Sequence, residues 1–144
     1  MGDERGAWAW VWAWVCPPEL VEGVRLFNAG EYFECHEVLE GLWRREPHSS
    51  PLRALYHGLI QAAVAFYHAE RGNFVGAVRV LERALPRLRP YVGRYRRLQL
   101  EAFVPELERW LERFREMRDA PAPTPCASLD PSQFPKLRLE ERQR

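Results

Sequence analysis

The sequence predicts a compact all-α bundle of about five helices, built from two helical hairpins plus a closing C-terminal helix. Three observations favour this fold class: apolar residues recur at helical spacing, prolines and glycines divide the chain into helix-length segments, and one helical pattern occurs twice. The 144 residues are enough for one domain with its own core. We therefore expect a helical domain over residues 17–118.

Proline and glycine delimit the first two predicted helices. Pro17 and Pro18 fit the start of the first helix, because proline is tolerated where a helix begins, and Gly30 ends it. The second helix occupies about residues 31–45, and Pro47 stops it because proline cannot continue a helix.

Serine and asparagine mark the starts of the next two helices. The third begins at Ser49 or Ser50 and continues to Glu70, with apolar residues around most of its circumference, so we expect it at the centre of the bundle. Asn73 caps the fourth helix, and Pro86 is expected to end or kink it.

An arginine-rich connection is expected over residues 86–100, before the fifth helix. Pro105 fits only the first turn of that helix, which keeps apolar spacing to about Arg118. Residues 119–144 are expected to be a proline-rich linker and an extended tail, in which Phe134 begins an alternation of apolar and polar residues.

One internal repeat appears at an offset of 42 residues, from Gly30 to Gly72. Each copy is a helix, a glycine turn and a second helix with an aromatic residue two positions after the glycine, namely Tyr32 and Phe74. This pattern is typical of tetratricopeptide-like hairpins. Two copies are too few for an open solenoid, so we expect the hairpins to pack on each other.

Residues 1–16 are unusual, because four tryptophans alternate with alanine and valine there: Trp8, Trp10, Trp12 and Trp14. The segment has acidic residues where a signal peptide needs basic ones, and its apolar run is too short for a membrane span. We expect a disordered or non-native extension, such as a start site assigned too early would add.

Composition excludes several classes of function. The formal net charge is +1, so no global field favours nucleic acid or a membrane surface. The three cysteines, Cys16, Cys35 and Cys126, are widely spaced and lack a metal or redox motif, which favours a reducing cytoplasm. No cofactor is expected, apart from a divalent metal under one interpretation below.

The segment from Asn28 to Trp43 carries the richest set of polar residues, and Gln61 is the matching polar residue in an apolar stretch of the third helix. The candidate site is Asn28, His36, Glu37, Glu40, Trp43 and Gln61. We favour a structural network in which Gln61, His36 and Glu40, together with Asn28, satisfy each other between helices. A metal or acid–base site that uses His36 and Glu40 with His57 or Glu37 is a second interpretation, and a small-ligand pocket walled by Trp43 is a third.

The weak metal candidates are His36, Glu40 and His57. The motif lacks the second histidine of the zincins. A separate anion contact is predicted in the arginine stretch, at Arg94, Arg96 and Arg97, where tyrosines alternate with the arginines. The alternative there is a solvated connection whose arginines pair with glutamates of the fifth helix.

A resemblance follows from the run Phe27 to Trp43 together with the turn at Gly72. The sequence resembles a family of small helical bacterial and archaeal proteins known as a domain of unknown function, number three hundred and nine. The resemblance spans residues 20–89 and extends to the fifth helix, with these residues in family positions: Asn28, Gly30, Tyr32, His36, Glu37, Glu40, Trp43 and Gln61. It implies an all-helical prokaryotic protein and no assigned activity.

The function that we expect is a non-enzymatic helical binding or scaffold domain, by analogy with other hairpin repeats. The alternative is a metal-assisted hydrolase or a small-ligand-binding protein that uses the His36, Glu40 and Gln61 cluster. A protein partner or a small ligand is expected, and a membrane or nucleic acid is not. The sequence specifies neither the partner nor the oligomeric state.

Overall fold

The computed structural model describes residues 11–121 and 129–140. Its α-helices are α1 (Pro18–Asn28), α2 (Tyr32–Arg45), α3 (Arg53–Glu70), α4 (Phe74–Leu88) and α5 (Leu100–Asp119). Short 3-10 helices occupy Val11–Trp14, Arg89–Tyr91 and Pro131–Gln133. Within these two stretches the only β-pairing is an isolated antiparallel bridge between Leu98 and Leu139. The predicted all-α fold is confirmed.

Helix α3 lies at the centre of the bundle, where it packs against both α2 and α4. Its Phe66 is fully buried, and the ring centroid lies 6.0 Å from that of Phe27 on α1 and 5.5 Å from that of Phe114 on α5. Aromatic contacts therefore connect the two hairpins and the closing helix around one core. No helix in the described part of the chain is both long and apolar enough to cross a membrane.

The two glycine turns have the same backbone geometry. Gly30 and Gly72 both have a φ of 78°, a left-handed conformation that favours glycine. The next residue donates its amide to the carbonyl five positions earlier in each turn, at 2.9 Å from Glu31 to Leu26 and from Asn73 to His68. The internal repeat is therefore present in the structure at its turns.

Helix α4 does not end at Pro86 but continues to Leu88. The assignment of Pro105 was wrong, because α5 begins at Leu100 and Pro105 lies inside the helix and not in its first turn. Each proline removes one helical hydrogen bond. Leu88 and Leu100 are both fully buried, and their burial in helical conformation offsets that loss.

The N-terminal segment differs from the expectation where it is described. Over residues 11–16, Ala13 is fully buried and the Tyr95 hydroxyl donates a hydrogen bond to the carbonyl of Val15. These residues therefore pack on the domain, because the connection after α4 offers them both apolar surface and a donor. Residues 1–10 lie outside the described residues, and so does Cys126.

Cys35 occupies the apolar stripe of α2 and is fully buried. Burial raises the pKa of its thiol to about 12, so the thiol stays protonated at neutral pH. Residues 134–140 cross the bundle as an extended tail, and the side chains of Phe134 and Leu137 in this tail are buried.

Candidate functional site

In the structure, the residues of the predicted polar cluster lie in three separate places. His36 and Glu40 do meet on α2, with Nε2 and Oε2 2.7 Å apart, and the other oxygen of Glu40 pairs with Arg44. They line a cleft of about 280 Å³, here named the His36 cleft, with Phe33, Glu37, Gly41 and Arg44. The carboxylate of Glu40 is therefore paired with a guanidinium of the same helix.

Asn28 lies apart from the His36 cleft, at the end of α1. Its side-chain amide is hydrogen-bonded to the backbone of Leu137 in the tail, as donor at 2.8 Å and as acceptor at 2.7 Å. Asn28 thus holds the tail and does not contribute to a network around His36.

Gln61 has a different partner from the one expected. Its Oε1 accepts a hydrogen bond of 3.1 Å from Nη1 of Arg87 on α4, and no hydrogen bond joins it to His36 or Glu40 in the described stretches. The predicted contact is wrong, because a guanidinium on the neighbouring helix supplies the donor that the amide oxygen needs.

His57 does not join His36 and Glu40 as a third metal ligand. His57 packs against Trp43, with ring centroids 4.7 Å apart, and lines a different cleft from His36 and Glu40. Residues 11–121 and 129–140 contain no group of three or more His, Cys, Asp or Glu side chains placed to hold a metal ion.

A second cleft lies where α2 ends, α3 begins and α4 ends. It has a volume of about 260 Å³, is here named the basic cleft, and is lined by Trp43, His48, Ser50, Arg53, Ala54, His57 and Arg87. No carboxylate is among these lining residues. The first turn of α3 adds the positive end of a helix dipole to the charge of the arginines.

Arg53 is fixed at the floor of the basic cleft by neutral acceptors. Its Nη1 donates to the carbonyl of Trp43 at 3.0 Å and to the carbonyl of Glu46 at 2.7 Å, which are exposed where α2 ends. Its guanidinium carbon lies 4.6 Å from the Trp43 ring centroid, a cation–π distance. The side chain is therefore held in place while it retains its positive charge.

Arg87 is positioned in the same manner from α4. Its Nη1 donates to Gln61 and, at 3.2 Å, to the carbonyl of Arg83. Gly58 allows α4 to approach α3 at this level, because a Cβ there would lie 2.8 Å from Cδ2 of Leu88 and 3.1 Å from Cβ of Arg87. The bare backbone of α3 thus brings Arg87 close to Gln61.

His57 responds to both arginines. Burial lowers the pKa of its imidazole, and the charges of Arg87 and Arg53 lower it further. The imidazole is therefore neutral at pH 7, and it packs against Trp43 as a second flat ring in the wall of the basic cleft.

Several other arginines in the described part of the chain are paired with acids. The ion pairs join Arg25 to Glu22, Arg44 to Glu40, Arg45 to Glu19, Arg89 to Glu108, Arg115 to Glu82, and Arg118 to Asp119. In the described part of the chain neither Arg53 nor Arg87 forms such an ion pair. Neutral acceptors therefore orient both guanidinium groups, while the nearby carboxylate of Glu46 accepts a hydrogen bond from Ser50.

The arginines predicted to contact an anion occupy varied surroundings. Arg96 lines a cavity of about 440 Å³ together with Glu101 and Glu140, whose carboxylates oppose an anion. Arg94 is exposed, while Nε of Arg97 is buried without a hydrogen-bond partner among the described residues. Arg89, in the same stretch, pairs with Glu108 of α5, as the solvated alternative predicts.

Sequence reasoning missed Arg53 as a member of a site. The signal was present, because Arg53, His57 and Gln61 recur every four residues on an otherwise apolar helix. Residues four apart share one face of a helix, so this spacing indicates a polar stripe. Arg87, which lies on α4, could be assigned to this site only once the contact between α3 and α4 was known.

Comparison with known proteins gives a family and two relatives. Residues 20–80 match the family described as "Domain of unknown function (DUF309)". The chain is similar to the uncharacterized protein YpuF of Bacillus subtilis, with 44% identity over 55 residues, 38% of this chain and 31% of that protein. It is also similar to an uncharacterized protein of Aquifex aeolicus, with 32% identity over 66 residues, 46% of this chain and 20% of that protein.

The chain thus covers less than a third of the length of either relative. No solved structure matches it. The family match ends at residue 80, short of the expected residue 89, and does not include α5. The predicted resemblance to the DUF309 family, to which no activity is assigned, is confirmed for residues 20–80.

Proposed function

We propose that this chain is a non-enzymatic binding domain whose basic cleft holds an anionic group of the ligand, a carboxylate or a phosphate. The observation that carries the proposal is the orientation of two guanidinium groups, Arg53 and Arg87, by neutral acceptors at one cleft. Guanidinium groups stay protonated and match the geometry of carboxylate and phosphate oxygens.

The size of the basic cleft indicates how much of a ligand it holds. A volume of about 260 Å³ is below the usual range for a whole drug-sized molecule. The cleft therefore suits one charged end of a larger ligand. Trp43 and His57 offer flat ring surface beside the arginines, which suits the part of the ligand next to its charge.

Binding is favoured over catalysis because arginine orients an anion without exchanging protons with it. The metal-assisted alternative rests on His36 and Glu40, where the carboxylate of Glu40 is already paired with Arg44. A carboxylate compensated in this way attracts a cation less strongly. The cytoplasmic location stays a prediction that rests on the cysteine pattern.

Titration calorimetry of the full chain with inorganic phosphate, at constant ionic strength, tests the proposal. We expect saturable binding with a Kd on the order of 1 mM, as for a single anionic fragment. Arg87→Ala should weaken it at least fivefold. Arg44→Ala, an exposed arginine of the His36 cleft, is the matched control and should leave the affinity unchanged. Absence of saturable binding, or equal losses in the two variants, would contradict the proposal.

A further inference from the structure

A side-chain amide holds the tail through hydrogen bonds to the tail's backbone. Asn28 uses both ends of its side-chain amide on one residue, donating to the carbonyl of Leu137 and accepting from its amide. This pair of hydrogen bonds is the pattern that one residue of a neighbouring β-strand would make. It is independent of which side chain occupies position 137.

Two apolar anchors accompany the backbone contact. Phe134 is 2% exposed, and its ring centroid lies 4.8 Å from that of Phe66 and 5.0 Å from that of Trp110. Leu137, three positions later, is 4% exposed, and Pro135 is buried as well, while Lys136 and Arg138 are exposed. Buried anchors beside solvent-exposed positions are typical of a bound extended peptide.

The opposite edge of the tail pairs with the segment before α5. The amide of Gln99 donates to the carbonyl of Arg138 at 3.1 Å, and the amide of Glu140 donates to the carbonyl of Arg97 at 2.7 Å. The tail therefore lies between this segment and Asn28, and an isolated bridge between Leu98 and Leu139 joins it to the segment. Backbone pairing of an extended segment is a recurring mode of peptide recognition.

The surface beneath the tail lies only partly within the family match. The match over residues 20–80 includes Asn28, Tyr32 and Phe66, and it excludes Trp110, residues 97–99 and residues 134–140. One wall of the groove thus belongs to the domain shared with the family. The segment that fills it is supplied from outside that domain.

We propose that the surface formed by Asn28, Tyr32, Phe66, Trp110 and residues 97–99, here named the tail groove, is a peptide-binding site. The chain's own residues 134–140 occupy it. The tail groove also accepts, from a separate molecule, an extended peptide with an aromatic residue and an aliphatic residue three positions later. This site is distinct from the basic cleft and does not rest on the function proposed for it.

Peptide binding to a full-length chain with a weakened tail tests this inference. The probe is a fluorescent peptide of residues 129–140, followed by anisotropy, and the variant carries Phe134→Ala with Leu137→Ser. We expect this variant to bind the peptide at least tenfold more tightly than the wild type, in which the attached tail competes at high local concentration. Adding Asn28→Ala should weaken binding about tenfold, because the backbone contact is lost.

A peptide that carries the same two substitutions is the control and should not bind. A variant that keeps its helical circular dichroism and fails to bind the wild-type peptide would overturn the proposal.

If the variant does not fold, hydrogen exchange of the wild-type chain tests whether the tail can leave the tail groove. The amides of Leu137 and Glu140 should then exchange at least tenfold faster than those of α3, through an opening that releases the tail alone. Exchange at the same rate as the amide of Phe66 would show that the tail is an inseparable part of the core, and would contradict the proposal.

Discussion

The two clefts beside α2 differ in the partners of their charged side chains. In the His36 cleft, Glu40 lies between His36 and Arg44, so its carboxylate is paired with a guanidinium of the same helix. In the basic cleft, Arg53 and Arg87 donate to the carbonyls of Trp43, Glu46 and Arg83 and to the amide of Gln61, none of which carries a charge. An ion pair completed inside the chain needs no ligand, whereas a guanidinium held by neutral groups keeps its attraction for an anion.

The difference extends to the backbone beneath each cleft. A Cβ at Gly58, below the basic cleft, would overlap Leu88, whereas a Cβ at Gly41, in the His36 cleft, would meet no atom within 4 Å. The basic cleft is therefore built on a close helix–helix contact, and the His36 cleft lies on an open helix surface. Substitutions should have larger effects at the former.

The largest effect is expected from Gly58→Ala. The added methyl group would push α4 from α3, with a loss of about 2–3 kcal/mol in the free energy of unfolding. Gly41→Ala is the matched control, and it should be neutral or stabilising by up to about 1 kcal/mol, because alanine favours helix over glycine. Urea denaturation measures both; equal changes in the two variants would contradict the difference between the clefts.

Arg53→Ala should have the next largest effect. It leaves the carbonyls of Trp43 and Glu46 without their charged donor, which we expect to cost about 1–2 kcal/mol of unfolding free energy. Arg44→Ala removes only an exposed ion pair and should cost less than about 0.5 kcal/mol. A loss in Arg44→Ala as large as that in Arg53→Ala, in the same denaturation assay, would show that Arg53 has no special role.

Gln61→Leu tests the role of Gln61 as a neutral acceptor for Arg87. Without its Oε1, Arg87 keeps only the carbonyl of Arg83 and is less well oriented. We expect phosphate affinity to fall about threefold, which corresponds to about 0.7 kcal/mol. Titration calorimetry measures the change, with Glu37→Gln of the His36 cleft as the control. Unchanged affinity in Gln61→Leu would mean that Gln61 serves packing alone.

The smallest effect should appear in the pH dependence of stability. Because the pKa of His57 is lowered in the folded state, the unfolded chain binds more protons as the pH falls below the ordinary histidine value of about 6.5. This contribution destabilises the fold below that pH and vanishes above it. His57→Gln should remove it. Denaturation at several pH values measures the unfolding free energy of both proteins, and an equal change of that free energy with pH in the two would contradict the assignment.

The sequence was informative where local chemistry decides the structure. The turns at Gly30 and Gly72 and the cap at Asn73, whose Oδ1 accepts from the amide of Gly76, follow from residue type alone. Pro105 was misplaced, and α4 continues beyond Pro86 to Leu88, because burial of neighbouring residues outweighs the local preference of proline.

The site was harder to predict because its parts come from three helices. His36 and Glu40 are four residues apart, so their pairing could be anticipated from spacing. Gln61 could be identified as a buried amide in need of a partner, but Arg87 lies 26 residues away, and its selection depends on the close packing that Gly58 allows. Asn28 likewise finds its partner 109 residues away, in the tail.

The imidazole of His57 offers the most direct test of an anion site in the basic cleft. NMR titration of the isotope-labelled full chain measures its pKa in chloride and in inorganic phosphate at equal ionic strength. A phosphate held by Arg53 and Arg87 would offset the two charges that lower this pKa, so we expect the pKa to rise in phosphate and to rise less in Arg87→Ala. A pKa that is the same in both anions would contradict the proposed function.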